Sequence, residues 1–165
     1  MQRLLHSMVE IFPLEVRLNA ISGIVSIIKE NGGSAALSTI ANDSKSDIGR
    51  LFPIIEAGKI LKLFTVNDGI VSITKLANNK NTKEFRDALR DNLIKAEPFN
   101  SLLDHLKKTH SLSTTDMFDF LLQRGFIAQI NRSLDITAFR RELVGILIRR
   151  EICTYNQKKD LWRPV

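Results

Sequence analysis

The stretch LFTVNDGIVSIT, residues 63 to 74, decides how the first half of the chain reads. Two short runs rich in β-branched residues flank Asp68-Gly69, a dipeptide suited to the positive φ angles of a tight hairpin turn. With those two residues as the loop, Asn67 opposes Ile70, Val66 opposes Val71, Thr65 opposes Ser72 and Phe64 opposes Ile73. Side chains alternate along a strand, so Phe64, Val66, Val71 and Ile73 share one face and Thr65 and Ser72 the other. The expectation is a half-buried ribbon that closes a small core with its apolar face.

Upstream, helical periodicity dominates. Leu18, Ile21, Val25 and Ile28 recur at helical spacing in EVRLNAISGIVSIIKE (15 to 30), and Ala20, Ile24 and Ile27 form a second row. Asn31-Gly32-Gly33 ends this helix, because glycine adopts the left-handed conformation of a helix terminus without a Cβ penalty. SAALSTIAND reads as a short second helix that offers Ala36, Leu37 and Ile40. SDIGRLFPIIEAG reads as a third, with Ile48, Leu51, Phe52 and Ile55 inward and Pro53 predicting a kink or a late start.

Beyond the polar stretch KLANNKNTK (75 to 83) the order repeats. Asn81, with Glu84 three residues on, caps a helix bearing Phe85, Leu89 and Leu93. Pro98 separates it from a stripe of Phe99, Leu102, Leu103 and Leu106. Ser113 with Asp116 caps the next helix, and Gly125 ends it. Asp135 is expected to cap the last helix, with Phe139, Leu143, Ile146 and Leu147 inward. EICTYNQKKDLWRPV then reads as a second hairpin, where a Lys158-Lys159 turn sets Tyr155 opposite Trp162. The fold class predicted is mainly α with short β-hairpins, an α+β chain built of tandem winged-helix units. The divisions are 1–78 (first unit with its N-terminal segment), 79–98 (linking helix) and 99–165 (second unit).

With 165 residues and 44% hydrophobic content, the chain can fill one ordinary core or two small ones. No apolar run approaches the roughly 18 residues that cross a bilayer, and no signal-peptide pattern opens the sequence. The expectation is a cytoplasmic protein without membrane insertion. A lone Cys153 excludes an internal disulfide.

The net charge of +6 is unevenly distributed: residues 1 to 78 carry 8 Lys and Arg against 7 Asp and Glu, residues 79 to 165 carry 16 against 11. On the last helix Arg141 and Arg149 read as one exposed stripe flanked by Arg140 and Arg150, while Lys158, Lys159 and Arg163 stud the second hairpin. These seven are the candidate contacts to nucleic acid or to an acidic partner. In the first unit Lys45 and Arg50 are offset by Asp43, Asp47 and Glu56.

Catalytic and cofactor patterns are sparse. No GxxxxGK[ST] phosphate loop occurs, so ATP binding by that route is not expected. His105 and His110 are five apart, not the four that aims two imidazoles at one metal, and with His6 they read as solvent-facing. Asp116 and Asp119 suit the first turn of a helix, where carboxylates favour the positive end of the dipole. Cys153 reads as a buried structural thiol. No enzyme, metal or cofactor is predicted.

The stretch from Leu51 to Leu61, with Pro53, Ile54, Ile55, Glu56 and Ala57 at its centre, followed by the Asp68-Gly69 turn and Ile73-Thr74, resembles a known family. It is similar to the AAA-associated C-terminal domain that follows the ATP-binding cassette in nitrate-, sulfonate- and taurine-type transporter ATPases. The likeness runs from about Phe12 to Trp162 and brings no catalytic or ligand residues. It implies a regulatory or protein-interaction partner of an ABC-type ATPase or transporter component, here without the ATPase. A winged-helix DNA-binding transcriptional regulator using the basic C-terminal unit is the alternative. MQRLLHSMVEIF, read as a terminal helix, keeps a homodimer open.

Overall fold

The computed structural model describes residues 10–127 and 132–165, with side chains from Ile136 onward in the second stretch. The N-terminal segment proposed for dimerisation, with His6, lies outside the described residues up to residue 9.

Helix α1 (Leu18–Glu30) buries Ile21, Ile24 and Ile28. It ends where Gly32 and Gly33 take φ angles of 83° and 98°. Those two left-handed residues turn the chain back, and Ser34–Ala36 form strand β1 rather than the start of a helix. α2 follows at Leu37–Ser44 and α3 at Ile48–Ile60. The hairpin is then β2 (Phe64–Asn67) and β3 (Ile70–Ile73), in the register that the turn chemistry specifies, Phe64 opposite Ile73 through Asn67 opposite Ile70. β1 pairs antiparallel with the other edge of β3, Ala35 opposite Val71. The result is a three-stranded sheet in the order β1-β3-β2. The third strand escapes a local reading because Ser-Ala-Ala carries no β signal; it is a strand because β3 offers it an unpaired edge.

Two further expectations are corrected. α3 neither starts late nor buries the face assigned to it: it begins at Ile48 with Pro53 inside, and only Leu51 and Ile55 of the expected four are buried, Ile48 and Phe52 being 43% and 51% exposed. In the hairpin Phe64 and Val71 are buried and Ile73 is half-buried, while Val66, opposite Val71 but on the edge strand β2, is exposed, so only part of the expected apolar face seals the core. Phe64 lies so close over Gly58 of α3 that a Cβ there would meet its ring carbons at 2.2 Å.

α4 (Thr82–Lys95) starts on Asn81, whose side chain accepts from the Lys83 and Glu84 amides. Asn92 on this helix donates to the Leu61 carbonyl at 2.9 Å, tying α4 to the end of α3. At its far end the Phe12 amide donates to the Glu97 carbonyl at 2.6 Å and Phe12 packs on Phe99. α5 (Phe99–Thr109) buries all four of its stripe residues. α6 (Thr114–Gln123) is capped by Ser113, whose hydroxyl accepts from the Asp116 amide. Gly125, at a φ of 75°, follows it.

α7 spans Arg132–Leu143, so the helix begins before the cap expected at Asp135, whose side chain lies outside the described residues. It runs into a π-helical turn at Val144–Ile148 that buries Ile146 and Leu147. Strands β4 (Cys153–Asn156) and β5 (Leu161–Pro164) close the chain as an antiparallel pair with Tyr155 opposite Trp162. An isolated antiparallel bridge joins Leu112 to Trp162. The buried apolar side chains form one continuous cluster from Phe12 to Trp162. Mixed α and β structure with small antiparallel sheets thus agrees with the predicted α+β class. Among the described residues no helix is long and apolar enough to cross a membrane.

Candidate functional site

The seven basic residues singled out in the sequence do not form one stripe. Arg141 and Arg149 are exposed, and so are Lys158, Lys159 and Arg163. Arg149 sits at the end of the π turn, where wider winding means that eight residues no longer measure two regular α-helical turns from Arg141. Arg140 is half-buried beside Asp160, whose carboxylate feels its charge.

Arg150 departs furthest from the expected exposed flank. It turns inward, and its Nε is buried without a hydrogen-bond partner. Burial first, then repulsion from Arg86 and Arg149, lowers its pKa. Arg86 comes from α4, which the sequence presents as a linking helix, and nothing in its local pattern signals this proximity. Neither Arg86, Arg149 nor Arg150 is in an ion pair among the described residues.

The second hairpin has a built turn. The Lys159 amide donates to Asn156 Oδ1 at 3.1 Å, and Tyr155 stacks on Trp162 with ring centroids 4.3 Å apart. Asp160 accepts from the Tyr155 hydroxyl at 2.8 Å and from both the amide and the hydroxyl of Thr114. Burial alone would raise its pKa, but the bonds from Thr114 and Tyr155, with the charge of Arg140, bring it below the ordinary value. Lys158 and Lys159 are therefore displayed on an ordered loop.

The corresponding turn of the first hairpin, Asp68-Gly69, carries no cation. Alongside the exposed charges of Lys45, Asp47 and Arg50, that half exposes large apolar side chains: Ile48 and Phe52 on α3, Val66 and Ile70 on the hairpin.

His105 is not simply solvent-facing. It is half-buried and stacks on Phe120 with planes 7° apart, while the Arg124 guanidinium lies 4.8 Å from the same ring. His110 is exposed at the end of α5. Cys153 is buried, and burial pushes its thiol up to about 12. Among the described residues no three His, Cys, Asp or Glu side chains are grouped as metal ligands.

The model of one protein family, described as the C-terminal AAA-associated domain, matches residues 38–139. No curated protein and no solved structure matches the chain. The match takes in α2, α3, the first hairpin, α4, α5, α6 and most of α7, which is more than half of the sequence. The chain belongs to the C-terminal AAA-associated domain family.

Proposed function

We propose that this protein is a non-enzymatic tandem winged-helix module that regulates, or tethers to, the ATPase of an ABC-type transporter. Three helices followed by a hairpin occur in each half, α1-α2-α3 with β2-β3 and α5-α6-α7 with β4-β5. The bridge from Leu112 to Trp162 stands where β1 stands in the first half, between the first and second helices. This repeat supports units at 1–78 and 99–165 joined by the 79–98 segment.

The observation that carries the reading is the exposure of Ile48 and Phe52 on α3. In a DNA-binding winged helix the third helix enters the major groove and needs polar and cationic side chains. An exposed Phe and Ile there suit a protein partner, and family membership points to an ATPase as that partner.

Affinity purification from the source cell tests this, with the intact chain compared against Phe52→Asp. Recovery of an ATP-binding-cassette subunit by the intact chain and its loss in the variant is the expected result. Recovery of no transporter component by the intact chain sinks the proposal.

One observation favours DNA as a second reading: Arg149, Lys158, Lys159 and Arg163 are exposed and form no ion pair among the described residues. Duplex titration over a salt series decides it, since phosphate contacts weaken steeply as salt rises. Absent or salt-insensitive binding removes this reading.

A further inference from the structure

A cavity of about 320 Å³ opens between α1, the α3–β2 connection and α4, and Arg150 from the far half of the chain reaches its wall. Ile21, Leu61 and Phe85 give it apolar walls, interrupted by the polar side chains of Ser22, Ser26 and Asn79. Its charged lining residues are both cations, Arg150 and Lys29. This size is at the low end for ligand sites, room for a short acyl chain or a single ring but not for a nucleotide.

The electrostatics at the wall are unbalanced. A guanidinium with a buried, unpartnered nitrogen carries a desolvation cost, and two neighbouring guanidinia add repulsion. No carboxylate pairs with Arg150, Arg149 or Arg86 among the described residues. An arrangement of this kind is completed by an anion, and a carboxylate matches the planar fork of an arginine. The apolar walls ask for a hydrocarbon body on that same anion.

We propose that this cavity binds a small amphipathic carboxylate, with its apolar body against Ile21, Leu61 and Phe85 and its head group on Arg150. Because Arg150 belongs to the second half of the chain and the walls to the first half and α4, the ligand would bridge them. Occupancy would then stiffen the junction between the halves.

Octanoate titrated into the full chain, followed by amide NMR shifts, is the test, with octanamide as the uncharged counterpart. Saturable shifts at α1, α4 and Arg150 are expected, with at least tenfold weaker binding of octanamide and of octanoate to Arg150→Met. Ser22→Phe, placed at an exposed position on the lining, should block entry while leaving the melting temperature unchanged. It decides the matter if Arg150→Met fails to fold. Absence of saturation at millimolar octanoate, equal binding of octanoate and octanamide, or shifts centred elsewhere would each overturn the proposal.

Discussion

The indole N–H of Trp162 donates to the hydroxyl of Thr114 at 2.9 Å, across 48 residues of sequence, and both side chains are almost wholly buried, at 0% and 1% exposure. The Thr114 hydroxyl in turn donates to Asp160, which also receives the Tyr155 hydroxyl. One short chain of bonds therefore locks the second hairpin to the start of α6. Thr114→Val strands a buried indole N–H and removes a bond to a carboxylate. A loss of roughly 2–4 kcal/mol in urea unfolding is expected. In a double-mutant cycle with Trp162→Phe the two losses should be less than additive, because the second change removes the stranded donor.

The same cluster sets an acid limit. Asp160 has a folded-state pKa below its ordinary 3.8, so the native state binds its proton more weakly than the unfolded chain. Its contribution is complete above the ordinary value and disappears as the pH falls through the folded one. Asp160→Asn keeps a residue that tolerates the φ of 48° found there but removes the carboxylate. The variant should be less stable than the parent at neutral pH, with the gap narrowing below about pH 4. Thermal melts from pH 7 to 2 measure it; a gap that stays constant contradicts the assignment.

Gly58→Ala should destabilise the first half. The added methyl carbon would sit 2.2 Å from two ring carbons of Phe64, which is itself buried. Overpacking of this kind costs roughly 1–3 kcal/mol, against a helix-propensity gain of up to about 1 kcal/mol. A net loss in denaturant unfolding is expected, and pairing the change with Phe64→Leu should recover part of it.

Arg150→Met should stabilise the free protein. The exchange keeps an apolar stem while removing the partly buried charge and its repulsion from Arg86 and Arg149. A melting temperature above that of the parent is expected at low salt, with the difference shrinking as salt screens the parent's repulsion. Destabilisation by the change would show that the guanidinium is held by favourable contacts.

Cys153 should resist thiol reagents in the native state. It is buried in β4 opposite Pro164, and burial pushes its pKa to about 12 from an ordinary 9.0. The thiolate is the reactive form, so labelling at pH 8 should require opening of the C-terminal hairpin. A raised folded pKa also means stability from this group that is complete below about pH 9 and lost as pH climbs toward 12. Labelling as fast as that of a free thiol in native buffer would refute this.

Local chemistry in the sequence determined much of this fold. Asp68-Gly69 specified the register from Phe64 to Ile73, Asn81 and Ser113 marked helix starts, and Tyr155 with Trp162 matched a turn around Lys158-Lys159. Each is set by residues within a few positions of one another, so periodicity and turn geometry are enough. Tertiary structure alone decided the rest. Ser34–Ala36 became a strand because the edge of β3 was open. Ile48, Phe52 and Val66 stayed exposed because no other element among the described residues covers them, although their spacing matches that of buried neighbours. Arg150 follows the π turn with its Nε buried, and α4 brings the repelling charge of Arg86 to it. A residue's direction at a helix end, and the charges that meet it, depend on elements distant in sequence, and no local pattern encodes them.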